Sequence, residues 1–112
     1  MIIRSAVFEG VVDEAGRAAF DRQMSTTVLA VLARYPGIRK ATVRKSAETE
    51  EGAPPIYMVF DLYFDTLADM HAALASPVRQ EVRTEVAAVK ASFKGRLYHL
   101  IQEEIATIEP AA

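Results

Sequence analysis

A chain of 112 residues with a formal charge of -2 is the size of one domain, and residues 1–112 are read as such. Hydrophobic residues make up 51% and charged residues 25%, a globular balance with too little net charge to attract nucleic acid or an acidic membrane surface. There is no cysteine for disulfide or thiolate chemistry, and no apolar run approaches the roughly 20 residues that cross a bilayer.

The opening segment, MIIRSAVFEGVV, lacks a basic leader and a long apolar run, so it does not read as a secretory signal. The expected location is the cytoplasm. Residues 2–12 are rich in β-branched and aromatic types and predict a first strand. Asp13 is placed to cap a helix. From Glu14 to Tyr35 the residues Phe20, Met24, Val28, Leu32 and Tyr35 recur at helical spacing. Pro36-Gly37 then stops the helix. Ile38 to Ser46 alternates as a second strand. Ala47 to Pro55 is charged, then Gly/Pro-rich, and reads as a loop.

Residues 56–65, IYMVFDLYFD, predict the third strand. Alternate side chains of a strand point to opposite faces. Ile56, Met58, Phe60, Leu62 and Phe64 form one apolar row, and Tyr57, Val59, Asp61 and Tyr63 form the other. Thr66, with Asp69 three residues on, starts a helix, and Ser76-Pro77 starts another. Val78, Val82, Val86, Val89 and Phe93 extend that helix until Gly95. Arg96 to Ile105 fits a helix or a strand; a strand is preferred because it completes a sheet.

The order β-α-β-β-α-β is the ferredoxin-like, α+β pattern: a four-stranded antiparallel sheet with helices on one face. The Ile56-to-Phe64 row should meet the helices. The Tyr57, Val59, Asp61 and Tyr63 row is left on the open face, a half-apolar patch suited to an interface or a binding site. Two copies stacking these faces would enclose a shared cavity.

The run FDLYFDTLADMHAALASPVRQEV, residues 60–82, and the Tyr35-Pro36-Gly37-Ile38 corner resemble EthD-like proteins of the dimeric α+β barrel superfamily. The closest similarity covers residues 35–82. The resemblance implies a homodimer with facing sheets, helices outside and a pocket inside. Its wider superfamily includes cofactor-independent monooxygenases, polyketide cyclases, muconolactone isomerases and non-enzymatic stress proteins.

Asp61 is the first catalytic candidate, because a carboxylate among aromatics can serve as a general base. Its structural alternative is an ion pair with Arg44 or Arg96. His99 is the second, able to move protons near neutral pH, or else a half-buried histidine bonded to backbone. Tyr57, Tyr63 and Tyr98 could hold a phenolic ligand or form an interface. Glu9 shares a face with Val7 and Ser5, and Arg44 could meet Asp61 or a ligand. The two histidines lack metal-ligand spacing. No phosphate loop, G-x-S-x-G or H-E-x-x-H is present, so no cofactor and no metal are expected. Two functions follow as expectations. One is a cofactor-independent enzyme acting on a small hydroxylated aromatic or polyketide-like compound. The other is a non-catalytic dimer that binds a metabolite or answers stress.

Overall fold

The computed structural model describes residues 1–111. Its strands are β1 (Ile2–Val12), β2 (Lys40–Lys45), β3 (Ile56–Phe64) and β4 (Phe93–Glu103). Its helices are α1 (Arg17–Gln23), α2 (Leu29–Leu32), α3 (Leu67–Leu74) and α4 (Val78–Ala87), with a π-helical turn, Met24–Val28, joining α1 to α2. The strands form one sheet in the order β2-β3-β1-β4, and every neighbouring pair is antiparallel. This is the ferredoxin-like α+β arrangement that the element order predicts.

The apolar stripe of the first helix explains its π turn. Phe20, Met24, Val28 and Leu32 are spaced by four, and all are buried. At 3.6 residues per turn, such a row drifts by about 40° at each step. One π turn absorbs one extra residue and keeps the row on the sheet. Ser25 and Thr26 donate hydroxyl hydrogen bonds to the Asp21 and Arg22 carbonyls, at 2.7 and 2.5 Å, within the same stretch. Such back-bonding loosens the regular ladder. The stripe packs on Ile2, Phe8, Phe60, Leu62 and Phe64 of the sheet. Phe8 meets Phe20, Phe60 and Phe93 edge to face at 6.0, 6.2 and 5.3 Å, a geometry that adds to simple burial.

Further along the chain, the Thr66 hydroxyl accepts from the Asp69 N–H at 3.1 Å and caps α3, as the sequence predicts. Asp13 and Ser76 do not cap through their side chains. No side-chain cap bond forms at Asp13, and Ser76 donates back to the Ala73 carbonyl at 2.6 Å.

The third strand departs from strict alternation at its start. Phe8 pairs with Met58, but Glu9 pairs with Ile56, so Tyr57 is an extra residue in a β-bulge. Ile56 therefore turns to the open face, where it lines a depression with Val59. Tyr57 turns to the helix side. Its ring packs on Phe20 at 5.7 Å, and its hydroxyl donates to Asp21 at 2.6 Å. The predicted rows are corrected at these two positions. From Met58 onward the alternation holds: Met58, Phe60, Leu62 and Phe64 join the core.

The last strand also starts earlier than the sequence suggests. Helix α4 ends at Ala87, and a 3-10 turn, Lys90–Ser92, leads into β4 at Phe93. Phe93 belongs to the core aromatic group and not to a continuing helix. Gly95 does not end a helix; it pairs with Gly10 across the strands. Both have positive φ, 155° for Gly95 and 149° for Gly10. A Cβ on either would run into the facing backbone, so only glycine fits this crossing.

Candidate functional site

The two faces of the sheet carry different chemistry. On the open face, Ser5 of β1 sits between Asp61 of β3 and Leu100 of β4. Asp61 is 7% exposed. It accepts from the Ser5 hydroxyl at 2.5 Å and from the Arg44 Nε at 3.0 Å. Arg44 is thus the partner of Asp61, one of the two arginines weighed for it. Arg96 is taken by Glu9 at 3.2 Å. The Tyr98 hydroxyl also donates to Glu9, at 3.2 Å. Partial burial, then Glu9, raises the Tyr98 phenol above its ordinary value. Tyr63 holds Lys40 over its ring at 5.0 Å. A depression of about 490 Å³ runs over Ser5, Val7, Arg44, Val59, Tyr98 and Leu100.

His99 is not part of this face. It pairs with Ala6, which pairs with Phe60, and all three point to the helices. Asp61 and His99 therefore lie on opposite sides of the sheet and cannot serve one cavity. Tyr57 is removed from the open face by the bulge. Among the expected site residues, the fold brings together Asp61 with Arg44, and Glu9 with Tyr98.

His99 opens instead onto a pocket between β1, β4 and the helix layer. Its inner part, about 70 Å³, is lined by Phe8, Phe60, Leu62, Val28 and Leu32. It shares Arg4, Tyr35, Val82, Val86, Leu97 and His99 with an outer groove of about 460 Å³. Arg79, Arg83 and Lys90 rim that groove. The helix above it is thinly packed: none of the α4 residues is fully buried, which leaves space under Val82 and Val86.

The electrostatics of this pocket are one-sided. The Arg4 Nε is buried with no hydrogen-bond partner, a position that costs about 1–3 kcal/mol when nothing answers it. Burial, then the neighbouring Arg79, holds the Arg4 guanidinium below its ordinary value. Burial pushes the Tyr35 phenol up, against the pull of Arg4, Arg79 and Arg83. Burial, then Arg4 and Arg79, brings His99 down to about 4, although the residue as a whole stays exposed. Its imidazole is therefore neutral at pH 7 and can accept a proton or a hydrogen bond.

Arg4, Tyr35, Arg79 and Arg83 line this pocket or its outer groove, and none is among the site residues expected from the sequence. A signal was present. Arg4 interrupts an apolar row, Ile2-Arg4-Ala6-Phe8, on the core side of β1. Arg79 and Arg83 follow Val78 and Val82 at the same i, i+4 spacing, beside the buried stripe.

Among the described residues there is no helix long and apolar enough to cross a membrane, and no cluster of three metal-ligating side chains.

The architecture is the ferredoxin-like α+β fold. In fold the chain is similar to a protein of the EthD family. An ethyl tert-butyl ether D (EthD) family protein from Bacillus halodurans superposes with a TM-score of 0.75 and 20% identity, over 94% of this chain and 99% of that one. SnoaB, a cofactor-independent oxygenase from Streptomyces nogalater, superposes with a TM-score of 0.62 and 20% identity, over 97% of each chain. A dimeric protein of unknown function from Bacteroides fragilis superposes at 0.65 with 16% identity, over 92% of this chain and 95% of that one. By sequence, an uncharacterized 11.0 kDa protein from the thcB-thcC intergenic region of Rhodococcus erythropolis is 29% identical over 73 residues, 65% of this chain and 71% of that protein. No family model matches the chain.

Proposed function

We propose that this protein is a homodimeric, cofactor-independent enzyme acting on a small hydroxylated aromatic or polyketide-like compound, bound between β4 and the helix layer. The observation that carries the reading is the helix-side pocket. It combines an apolar interior, a neutral imidazole, a phenol and an unpartnered arginine. A hydroxylated ring can lie against Val82, Val86 and Leu97, with its oxygen towards His99 and Arg4. His99 would take the hydroxyl proton, and Arg4 would stabilise the resulting anion. Such an anion is electron-rich enough to react with dioxygen directly, which is why chemistry of this kind can proceed without a flavin or metal. SnoaB, similar in fold, is a cofactor-independent oxygenase, and this supports the reading by analogy of fold.

In this proposal the open face serves self-association. Leu100 is 43% exposed there beside the enclosed Ser5–Asp61–Arg44 group, and fold relatives are described as dimeric. Asp61, Tyr63, Tyr98 and Glu9 then belong to the dimer surface, not to the reacting centre.

A dissolved-oxygen electrode with naphthols, anthrones and dihydroxynaphthalenes tests the reading. Protein-dependent oxygen uptake that falls in His99→Phe is expected. A folded protein that neither consumes oxygen nor gains thermal stability with any of these compounds refutes it. One observation favours the second reading, a non-catalytic metabolite binder: an imidazole held down to about 4 is a weak base. Thermal stabilisation without oxygen uptake or conversion would select that reading.

A further inference from the structure

We infer that the helix-side pocket selects an organic oxyanion, a carboxylate or the conjugate base of an acidic enol, carried on an apolar ring body. This rests on the placement of the ligand in that pocket and adds its charge. The lining is rich in positive charge and has no acid. Arg4, Arg79, Arg83 and Lys90 contribute guanidinium and ammonium groups, and His99 and Tyr35 are the remaining polar side chains. The carboxylates of the covering helix are engaged elsewhere. Glu81 pairs with Arg34 at 3.1 Å, and Glu85 accepts from Gln23 at 2.9 Å. Among the described residues, no ion pair involves Arg4, Arg79, Arg83 or Lys90.

The position of the charges matters as much as their number. Arg4 is rooted in the centre of the sheet, on the strand between β3 and β4, and its buried Nε lacks a partner. Arg79 and Arg83 are one helical turn apart on α4 and rim the groove that leads to it. Val82, Val86 and Leu97 form the apolar wall between rim and floor. An oxyanion at the floor would answer Arg4 through the charge-assisted bonds that guanidinium groups make best. Its ring would cover the wall. A neutral ligand of the same shape would leave Arg4 unanswered, and a cation would be repelled. Burial first, and then neighbouring arginines, hold Arg4 and His99 down, and the same arginines pull on the Tyr35 phenol against its burial; a bound anion would offset that positive charge.

Isothermal titration with isosteric probes at pH 7 tests this. Naphthoate supplies the carboxylate, a phenyl-substituted cyclic diketone supplies the enolate, naphthamide is the neutral control and naphthylmethylamine the cation. Either anion should bind at least about tenfold tighter than naphthamide, with the amine weakest. Whichever anion binds tighter identifies the source of the charge. Arg4→Met should erase the preference. The paired exposed-rim change Arg79→Ala with Arg83→Ala should reduce it several-fold, and it gives a test if the Arg4 variant does not fold. Bound anion should also raise the His99 titration midpoint above about 4, followed by proton NMR. Naphthamide binding as tightly as naphthoate overturns the anion inference while leaving the pocket reading intact. An unmoved His99 midpoint on saturation overturns the placement. No binding by any probe overturns both.

Discussion

Asp61→Ala separates a structural from a catalytic role for the most enclosed carboxylate on the open face. The Asp61 side chain is 10% exposed, while that of Arg44 is 64% exposed. The ion pair with so exposed an arginine is worth about 0–1 kcal/mol. The larger cost comes from Ser5. Its hydroxyl is in a residue only 6% exposed and donates to Asp61. Removing the acceptor leaves a buried donor unanswered, at about 1–3 kcal/mol. The sum is about 2 kcal/mol. At roughly 2.1 cal/mol/K of unfolding entropy per residue, 112 residues convert this into a Tm loss of about 8 °C.

Asp61→Asn keeps the volume and an oxygen for Ser5 but turns an amide N–H2 towards Arg44, so its loss should be about half as large. Ser5→Ala combined with Asp61→Ala should cost less than the two singles together, by about 1 kcal/mol. Thermal melts at one fixed protein concentration, with light scattering to hold the oligomeric state in view, provide the assay. Ligand binding in the helix-side pocket should be unchanged in Asp61→Asn. Three results would refute the reasoning: an unshifted Asp61→Ala melt, strict additivity with Ser5→Ala, or loss of oxygen uptake in an equally stable Asp61→Asn protein. The last would return Asp61 to the chemistry.

Gly95→Ala should destabilise by at least about 2 kcal/mol, because a Cβ there meets the Glu9 carbonyl at a positive φ; urea denaturation with an unchanged midpoint would contradict the close crossing. Tyr57→Phe keeps the ring on Phe20 and loses the bond to Asp21, so stability should drop by about 1 kcal/mol with ligand affinity unaltered; lost affinity would return Tyr57 to a binding role. His99 has a depressed folded-state pKa, from 6.5 to about 4, so below pH 6.5 the unfolded chain takes up the proton first. Stability from this group is full above about pH 6.5 and is lost as pH falls towards 4, facing Arg4, Arg79, Arg83 and Tyr35. His99→Gln should flatten that window in melts run between pH 4 and 7, and an unaltered slope would place the loss on other groups. Leu100→Glu should turn the proposed homodimer into monomers by light scattering; a retained dimer mass would put the interface elsewhere.

Much of the architecture was legible because each element announces itself locally. The span of β1 follows from its β-branched run, and the stripe from Phe20 to Tyr35 marks the buried side of the first helix. The errors have physical causes that do not appear in local pattern. Valines at steps of four continue the α4 periodicity towards Phe93, yet Phe93 is claimed by Phe8 and Phe20. That contact joins residues more than seventy positions apart. The pairing of Gly10 with Gly95 is equally remote, so Gly95 looked like a helix stop. The bulge at Tyr57 contains no glycine to betray it. It is set by the mismatch between the β1 and β3 registers.

The same geometry explains why the expected site residues divide between the two faces of the sheet. One residue of slip in a strand moves every following side chain across the sheet, so local sequence does not fix which face a residue of β3 shares with one of β4. Their pairings with β1 fix it. Asp61 aligns with Ser5, Tyr98 with Val7, and His99 with Ala6. Ser5 and Val7 share a face; Ala6 is on the other. Adjacent residues Tyr98 and His99 thus belong to different surfaces, and β4 contributes to both. The open face has its charges matched among themselves, Asp61 with Arg44 and Glu9 with Arg96. On the helix side the buried Arg4 Nε has no hydrogen-bond partner, and among the described residues Arg4 forms no ion pair. A surface with satisfied charges suits the proposed second copy of the chain, whereas an unpartnered buried Nε beside an apolar pocket suits the proposed anionic ligand. In the proposed reading self-association and ligand binding divide between the two faces, and single substitutions on β4 can address them separately.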